Sequence, residues 1–232
     1  MDFLSQKFNQ IGINSNNIQL KLFENYYNFL IEYNKKINLT AITNKNEIFI
    51  KHFIDSLTIS RFLQNSCKLI DVGSGAGFPG VPLKISNPDI ELTLVESSKK
   101  KCEFLKDLSN ILKIKFDVIN NRAEILSKDL NYREKFDICV SRAVANLRIL
   151  SELCIPFIKI NGIFIAMKGP SFEAEFENSI DIIQKLGCKI NKIEQILLPE
   201  NYGIRYLIFI QKIKSTPKIY PRSFSRIKKF SD

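Results

Sequence analysis

Apolar residues near the start of the chain recur at the spacing of amphipathic helices. Between Ile18 and Ile37 they stand mostly three or four positions apart, which places them on one helical face. The stretch from Glu47 to Leu63 repeats this spacing, and either Thr43 or Asn44 is suited to cap its start. The pattern predicts an N-terminal helical extension, which we bound at residues 1–66.

From Lys68 onward, short apolar runs alternate with intervals long enough for helices. The runs predicted as strands are Lys68–Val72, Glu91–Val95, Lys115–Ile119, Phe136–Val140 and Gly162–Met167. This alternation predicts a parallel sheet covered by helices on both faces, and right-handed crossovers make it a doubly wound, Rossmann-like domain. We bound this domain at residues 67–214.

The last two apolar runs predict a different connection. After a helix predicted from Phe172 to Leu186, the runs Ile190–Leu198 and Arg205–Ile213 are separated only by a short turn, Pro-Glu-Asn-Tyr-Gly. This spacing predicts an antiparallel hairpin. The expected fold class is therefore α/β, with a mostly parallel seven-stranded sheet, an antiparallel C-terminal hairpin and the helical extension.

Composition restricts the class of protein. No apolar run approaches the roughly 20 residues of a membrane span, and the N-terminus lacks the layout of a signal peptide. We therefore expect a soluble, cytoplasmic protein with no membrane partner. The five cysteines are scattered and never spaced as Cys-x-x-Cys, so we expect reduced, mostly buried thiols and neither disulfides nor a metal site.

The charge of the chain favours a polyanionic partner. The formal net charge is +10, and much of the excess falls in a basic C-terminal tail, residues 215–232. Aromatic residues are interleaved there with the cations: Lys218, Tyr220, Arg222, Phe224, Arg226, Lys228, Lys229 and Phe230. Lys and Arg would neutralise phosphates while the rings stack on unpaired bases, although an ordinary solvated terminus is the alternative.

The first strand-to-helix turn holds the clearest chemistry. Asp71 is followed by Gly73, Gly75 and Gly77, and glycines let a backbone turn sharply and approach a ligand closely. With Gly80, the last two glycines also satisfy the dinucleotide pattern Gly-x-Gly-x-x-Gly, so an NAD-dependent oxidoreductase has to be considered. The register from Asp71 onward resembles the first motif of class I S-adenosylmethionine methyltransferases, in which the acid faces the methionine moiety.

Two later strand ends supply further candidates for cofactor binding. Glu96 ends the second predicted strand, where a carboxylate accepts hydrogen bonds from ribose hydroxyls, a feature that NAD proteins share. Ala123 and Glu124 follow the third strand, where methyltransferases of this class commonly contact adenine. Either acid could instead be a solvated loop carboxylate.

The residues after the fourth strand separate types of methyl transfer. Amino-group methyltransferases usually carry an (Asp/Asn)-Pro-Pro-aromatic motif there, whereas this chain has Ser-Arg-Ala-Val-Ala-Asn-Leu from Ser141 to Leu147. Cytosine-C5 methylation needs a cysteine nucleophile, and Cys154-Ile-Pro lies in a helix-like run that does not match. Both types of acceptor are therefore disfavoured.

Segments spread along the chain carry a specific resemblance. They are Asn38-Leu-Thr-Ala-Ile-Thr43, His52-Phe-Ile-Asp-Ser-Leu57, the glycine-rich loop, Ser141-Arg-Ala-Val144 and Tyr220-Pro-Arg222. In this order they resemble the RsmG (GidB) family of bacterial 16S rRNA guanine-N7 methyltransferases over nearly the whole chain. The resemblance implies S-adenosylmethionine as cofactor and methyl transfer to N7 of one guanine in the decoding-region stem-loop of 16S rRNA, either naked or in a small-subunit particle. We expect a monomer.

The resemblance also implies roles for single residues. It places Phe78 and Arg142 with the cofactor, although Phe78 could be a shelf for a base turned outward, and Arg142 could hold an RNA phosphate or form a structural ion pair. It makes His52 and Lys168 candidates for positioning the acceptor. His52 could instead be a satisfied structural histidine, and Lys168 a solvated strand-end lysine.

The remaining implied residues face the RNA. They are Asn38, Lys168, Tyr220 and Arg222, and Asp55 is expected to line the active site with His52. Guanine N7 attacks through an in-plane lone pair without first losing a proton, so no residue is required as a general base. A non-catalytic RNA-binding protein remains a further alternative, but it would predict a damaged cofactor loop.

Overall fold

The computed structural model describes residues 2–142 and 145–229, so Ala143 and Val144 of the fourth-strand motif and Phe230 of the tail lie outside the described residues. The chain begins with α1 (Asp2–Gln10) and α2 (Asn17–Asn34). Asn16 caps α2: its side-chain oxygen accepts from the backbone N–H of Gln19 at 2.9 Å, and the Gln19 side chain accepts from the backbone N–H of Asn16 at 3.0 Å. The sequence predicted α2 but not α1.

The second predicted helix is present, but it is not one regular α-helix. Asn44 caps α3 (Lys45–Ile48), which continues as a π-helical stretch, Phe49–Ile54, and then as α4 (Asp55–Leu57). A short 3₁₀ turn, Ser60–Phe62, follows. π-Helical turns are rare and occur frequently at functional sites. This one carries His52.

One seven-stranded sheet has the order β3-β2-β1-β4-β5-β7-β6. Its strands are β1 (Lys68–Val72), β2 (Glu91–Glu96), β3 (Asp117–Asn120), β4 (Phe136–Arg142), β5 (Ile158–Lys168), β6 (Cys188–Leu197) and β7 (Ile204–Lys212). Strands β1 to β5 pair in parallel, whereas β7 pairs antiparallel with both β5 and β6. The predicted fold class is confirmed.

Helices cover both faces of the sheet. They are α5 (Gly80–Ser86), α6 (Lys99–Leu112), α7 (Ala123–Leu126), α8 (Leu147–Cys154), α9 (Glu173–Lys185) and α10 (Phe224–Lys229). The N-terminal helices share one apolar core with α5 and α6, and α8, α9 and the buried Ile227 of α10 share the other. All five cysteines are buried free thiols. Within the described ranges, no helix is long and apolar enough to cross a membrane.

The segment after β7 is fixed to the sheet by charged groups. Lys212 is completely buried, and its Nζ lies 2.7 Å from Glu134 Oε1. Arg133 donates to the backbone carbonyls of Thr216 at 2.9 Å and of Tyr220 at 3.0 Å. We call this segment, residues 213–229, the C-terminal strap. Its path is set by hydrogen bonds to the main chain as well as by the apolar contact of Ile227.

Candidate functional site

Asp71 lies at the carboxyl end of β1 with no exposed surface. Its Oδ2 accepts a 2.9 Å hydrogen bond from the backbone N–H of Gly80, while Oδ1 has no hydrogen-bond partner within the described residues. Burial raises the pKa of Asp71 to about 7, and the negative charge of Glu96 adds to this, against the effects of the Gly80 bond and of Arg142. A buried, unsatisfied oxygen is costly unless a ligand completes it.

The glycine-rich loop needs its glycines for two different reasons. Gly73, Gly75 and Gly77 have φ angles of +75°, +57° and +94°, a region that other residues rarely adopt. A Cβ on Gly77 would also lie 2.7 Å from the hydroxyl of Tyr26. A Cβ on Gly75 would meet no atom closer than the Gly73 carbonyl oxygen at 4.0 Å. The loop is therefore packed from below at Gly77 and open at Gly75.

Glu96 connects the end of β2 to this loop. Its Oε2 accepts from the backbone N–H of Gly75 at 3.0 Å, and its Oε1 accepts from the backbone N–H of Ser98 at 2.8 Å. Oε1 also accepts a long, 3.5 Å hydrogen bond from the Ser97 hydroxyl, so of about four acceptor positions on the carboxylate one remains, on Oε2. Ala123 and Glu124 begin α7 after β3, and Glu124 Oε1 lies 2.5 Å from Arg122 Nε. The structure thus brings the predicted acids to one edge of the sheet.

Aromatic rings lie next to the glycine-rich loop. Phe78 stacks on His52 at 4.7 Å between ring centroids and on Tyr26 at 5.3 Å. The buried Tyr26 hydroxyl donates to the Ala76 carbonyl inside the loop. Burial raises the pKa of Tyr26 well above its usual value, so it stays protonated as a donor. The N-terminal helices therefore support the loop directly.

Arg142, at the end of β4, is held by the π-helical stretch. Its Nη1 donates to the carbonyls of Lys51 at 3.2 Å and His52 at 3.3 Å, and to Asp55 Oδ2 at 2.9 Å. The guanidinium carbon lies 5.1 Å from the centre of the Phe78 ring. Asp55 Oδ1 also lies 3.2 Å from Arg205 Nε. The buried Asp55 carboxylate is therefore shared by two arginines.

The surroundings of His52 keep its ring neutral. Burial lowers the pKa of His52 to about 3, and the positive charge of Arg142 adds to this. Its Nε2 lies 2.8 Å from Thr40 Oγ1, and its Nδ1 lies 3.4 Å from Arg142 Nη2. A neutral, fixed imidazole suits contact with an uncharged ligand better than proton transfer near neutral pH.

A pocket of about 530 Å³ opens beside this cluster. Its lining is unusually rich in charge: Lys51, His52, Asp55, Arg142, Lys168, Glu175 and Arg205, with Ile42, Met167, Gly169 and Ser171. Lys168, only 9% exposed, lies at the end of β5 with its Nζ 2.8 Å from Glu175 Oε1 and 2.7 Å from the Ala145 carbonyl oxygen. The structure therefore brings together His52, Asp55, Arg142 and Lys168.

The other predicted RNA contacts lie elsewhere. Asn38 is exposed in the loop between α2 and α3, outside the residues that line the pocket. Tyr220 and Arg222 lie on the C-terminal strap. Arg222 forms a bidentate ion pair with Glu152 of α8, with Nη2 2.7 Å from Oε2 and Nε 3.0 Å from Oε1. Glu152 also accepts from the Arg222 backbone N–H at 2.7 Å.

Sequence reasoning did not single out three residues that shape the site. Tyr26 was assigned only to an apolar helical face, Arg205 only to a strand and Glu175 only to a helix. Each acts through a partner that is distant in sequence, namely Ala76, Asp55 and Lys168 in turn. Arg205 offered a sequence signal, because the start of an antiparallel last strand falls at the edge where the parallel strands end, beside Lys168.

Comparison with solved structures identifies the fold. An O-methyltransferase from Thermotoga maritima that depends on S-adenosylmethionine superposes with a TM-score of 0.52 and 14% identity, covering 81% of this chain and 72% of the other. A ribosomal protein L11 methylase from Lactobacillus delbrueckii superposes with a TM-score of 0.52 and 16% identity, covering 69% of this chain and 77% of the other. The fold is that of class I S-adenosylmethionine-dependent methyltransferases.

Sequence comparison is more specific. The family model for rRNA small subunit methyltransferase G, GidB, matches residues 19–201. Ribosomal RNA small subunit methyltransferase G of Thermoanaerobacter sp. is 43% identical over 99% of this chain and 97% of its own length, and that of a Geobacillus species is 45% identical over 91% and 90%. The chain belongs to the rRNA small subunit methyltransferase G family, and the resemblance drawn from its motifs is confirmed.

Proposed function

We propose that this protein transfers the methyl group of S-adenosylmethionine to N7 of one guanine in the decoding-region stem-loop of 16S rRNA. The observation that carries the proposal is the loop after β1, where a buried carboxyl oxygen of Asp71 lacks a partner beside the open face of Gly75. A ligand that offers a cation and a thin, planar body there fits both features. Family membership supplies the class of acceptor.

The residues present fit the cofactor. Asp71 would accept from its methionine amino group, and Glu96, with an acceptor position left on Oε2, would accept from a ribose hydroxyl. The glycines at 73, 75 and 77 would let the loop pass beneath the cofactor. Ala123 and Glu124 would border its adenine. Phe78 and Arg142 would line the wall of the cofactor site that faces the N-terminal helices. When bound, the cofactor supplies a methyl group on a sulfonium centre.

The pocket beside Arg142 is the proposed position of the acceptor base. Guanine N7 is already nucleophilic, so the protein has to orient the base and exclude water, and it needs no proton acceptor. The neutral, stacked His52 and the buried Lys168 suit this task, because both are held in place by other side chains. Asn38 and Tyr220 would lie along the RNA outside the pocket, and Arg222, proposed from the motif as an RNA contact, would act there through the path that its pair with Glu152 gives the strap.

Methyl transfer to small-subunit particles that lack endogenous methylation tests this function. Radiolabelled S-adenosylmethionine should label one nucleotide of 16S rRNA at guanine N7, and Asp71→Ala should abolish the label. Label at another atom would keep the cofactor and overturn the acceptor. Absence of both transfer and S-adenosylmethionine binding would overturn the whole proposal.

A further inference from the structure

The acceptor pocket contains two charge clusters with different arrangements. Asp55 is 3% exposed, its Oδ2 accepts from Arg142, and its Oδ1 lies 3.2 Å from Arg205 Nε as an ion pair without a hydrogen bond within the described residues. Lys168 and Glu175 instead pair with each other, 2.8 Å apart, and both line the pocket. The first cluster positions Arg142. The second presents one donor next to one acceptor at the wall of the pocket.

This order of donor and acceptor complements the Watson–Crick edge of guanine. The Watson–Crick edge of guanine carries the O6 acceptor followed by the N1–H and N2–H donors, and adenine places an amino donor where guanine has O6. O6 is the exocyclic oxygen that lies closest to N7 on the guanine base. A lysine that contacts O6 would therefore stand closest to the reacting atom, with the carboxylate further along the edge.

We propose that Lys168 and Glu175 read the Watson–Crick edge of the acceptor base, with Lys168 donating to O6 and Glu175 accepting from N1–H and N2–H. The inference rests on the proposed function, since it assigns guanine selection to that same pocket. Charge-assisted hydrogen bonds of this kind are roughly twice as strong as neutral ones. They also reject a base that presents a donor to the lysine.

Both side chains have the capacity to bind the base and keep their present partners. Lys168 has three N–H donors and, among the described residues, uses two, to the Ala145 carbonyl and to Glu175. Glu175 Oε1 accepts from Lys168 and Oε2 accepts from the backbone N–H of Leu147 at 2.5 Å, which leaves a lone pair on each oxygen. The bond to Leu147 ties Glu175, in the first turn of α9, to the start of α8. The reading pair is therefore rigid before any ligand binds.

A cycle that combines one protein substitution with one base substitution tests the assignment. Glu175→Gln keeps the size of the side chain and an oxygen for Leu147, but it loses the charge and one acceptor. Inosine at the target position keeps O6 and N1–H and lacks only the N2 amino group. Kinetics of methyl transfer are measured for both proteins on small-subunit particles that carry guanosine or inosine at this position.

We expect Glu175→Gln and inosine each to lower kcat/KM by about tenfold or more. The variant acting on inosine should lose clearly less in kcat/KM than the product of the two separate fold reductions, because both changes remove the same contact. S-adenosylmethionine affinity should stay unchanged, and Glu173→Gln, on the exposed face of the same helix, should stay within about twofold of the wild type. Equal losses on guanosine and inosine would reduce Glu175 to a structural role and overturn the assignment.

The wild-type protein alone supplies a second test if Glu175→Gln does not fold. Guanosine and inosine should differ by about tenfold in kcat/KM, and equal rates would refute a contact to N2. Failure of the proposed function has a different signature, because the wild-type protein would then leave guanosine N7 unlabelled in every particle.

Discussion

Both ends of the chain flank the sheet, but different forces hold them. The N-terminal helices are joined to the core by buried aromatic rings. The ring centroids of Phe8 and Phe23 lie 5.0 Å apart, and those of Phe53 and Tyr26 lie 5.1 Å apart. Tyr26 in turn stacks on Phe78 of the glycine-rich loop. The C-terminal strap is held by charged groups, from Lys212 with Glu134 to Arg222 with Glu152.

The difference determines what each end can do for the site. Aromatic side chains bury large apolar areas, and the N-terminal rings form a connected layer against Phe78 of the cofactor loop. Buried ion pairs are directional, and removal of one partner leaves an uncompensated charge. The strap is therefore fixed along one path, and it is more sensitive to loss of a single charge than to a change in side-chain volume.

The largest effect on stability expected from a substitution at constant pH comes from the charge that anchors the strap. Glu152→Ala leaves Arg222 without its bidentate partner, and the Glu152 side chain is only 1% exposed. We expect a loss of about 3 kcal/mol in the free energy of unfolding, measured by urea denaturation. Glu177→Ala, on the exposed face of α9, is the control. A loss below about 1 kcal/mol would show that the strap does not depend on this pair.

Asp71, beside the loop that the N-terminal helices support, should make the free energy of unfolding depend on pH. The pKa of Asp71 rises from 3.8 to about 7 on folding, so between these values the native protein binds more protons than the unfolded chain. Stability of the cofactor-free protein should therefore fall as pH increases through this window, by up to about 1.4 kcal/mol per pH unit. Urea denaturation at several pH values measures it.

Asp71→Asn provides the control for this dependence. The variant has no titrating group at this position, so its stability should lack that part of the slope while its affinity for S-adenosylmethionine falls. Identical slopes in the two proteins would mean that the Asp71 carboxyl titrates normally. The acid would then already be ionised in the cofactor-free protein at neutral pH, and binding of a cationic amino group would not have to displace a proton from it.

A smaller effect is expected from the hydroxyl that joins the aromatic layer to the loop. Tyr26→Phe keeps the ring against Phe78 and removes the donor to the Ala76 carbonyl. We expect a loss of about 1 kcal/mol in stability and a several-fold weaker affinity for S-adenosylmethionine by calorimetry, with kcat unchanged. Tyr27→Phe, on the same helix against Phe49, should change neither. Unchanged cofactor affinity in Tyr26→Phe would confine the hydroxyl to a structural role.

Local patterns predicted much of the fold and of the cofactor loop, because these features depend on residues close together in the chain. β1 was predicted with its observed bounds, Lys68–Val72, since a short, mostly apolar run followed by glycines is typical of a buried parallel strand that ends in a turn. The acids at 71 and 96 follow from strand ends by the same reasoning. Helix α1 was missed because its nine residues give too few repeats of a helical pattern.

Contacts between distant residues were beyond the reach of these patterns. Arg222 was expected at the RNA mainly from the family resemblance of Tyr220-Pro-Arg222, and no local pattern indicated its ion pair with Glu152, 70 positions earlier. Glu175 looked like an ordinary acid in the first turn of a helix, although its carboxylate faces Lys168. A charge in the sequence has no visible partner until the fold provides one, so the function of charged residues was predicted less well than their position.

The smallest expected effect separates the cations that anchor the strap from those that face solvent. Arg226 and Lys229 are exposed on α10, so Arg226→Gln and Lys229→Gln should each reduce the slope of log affinity for RNA against log salt by about 0.7 to 1, with little change in stability. Arg222→Gln should lower stability and leave the salt slope of RNA affinity unchanged, because the Arg222 guanidinium is occupied by Glu152. Salt titrations of binding to a 16S rRNA fragment, together with urea denaturation, measure both quantities. If Arg222→Gln reduced the salt slope and left stability unchanged, the strap would be an RNA contact at this residue rather than an anchored segment.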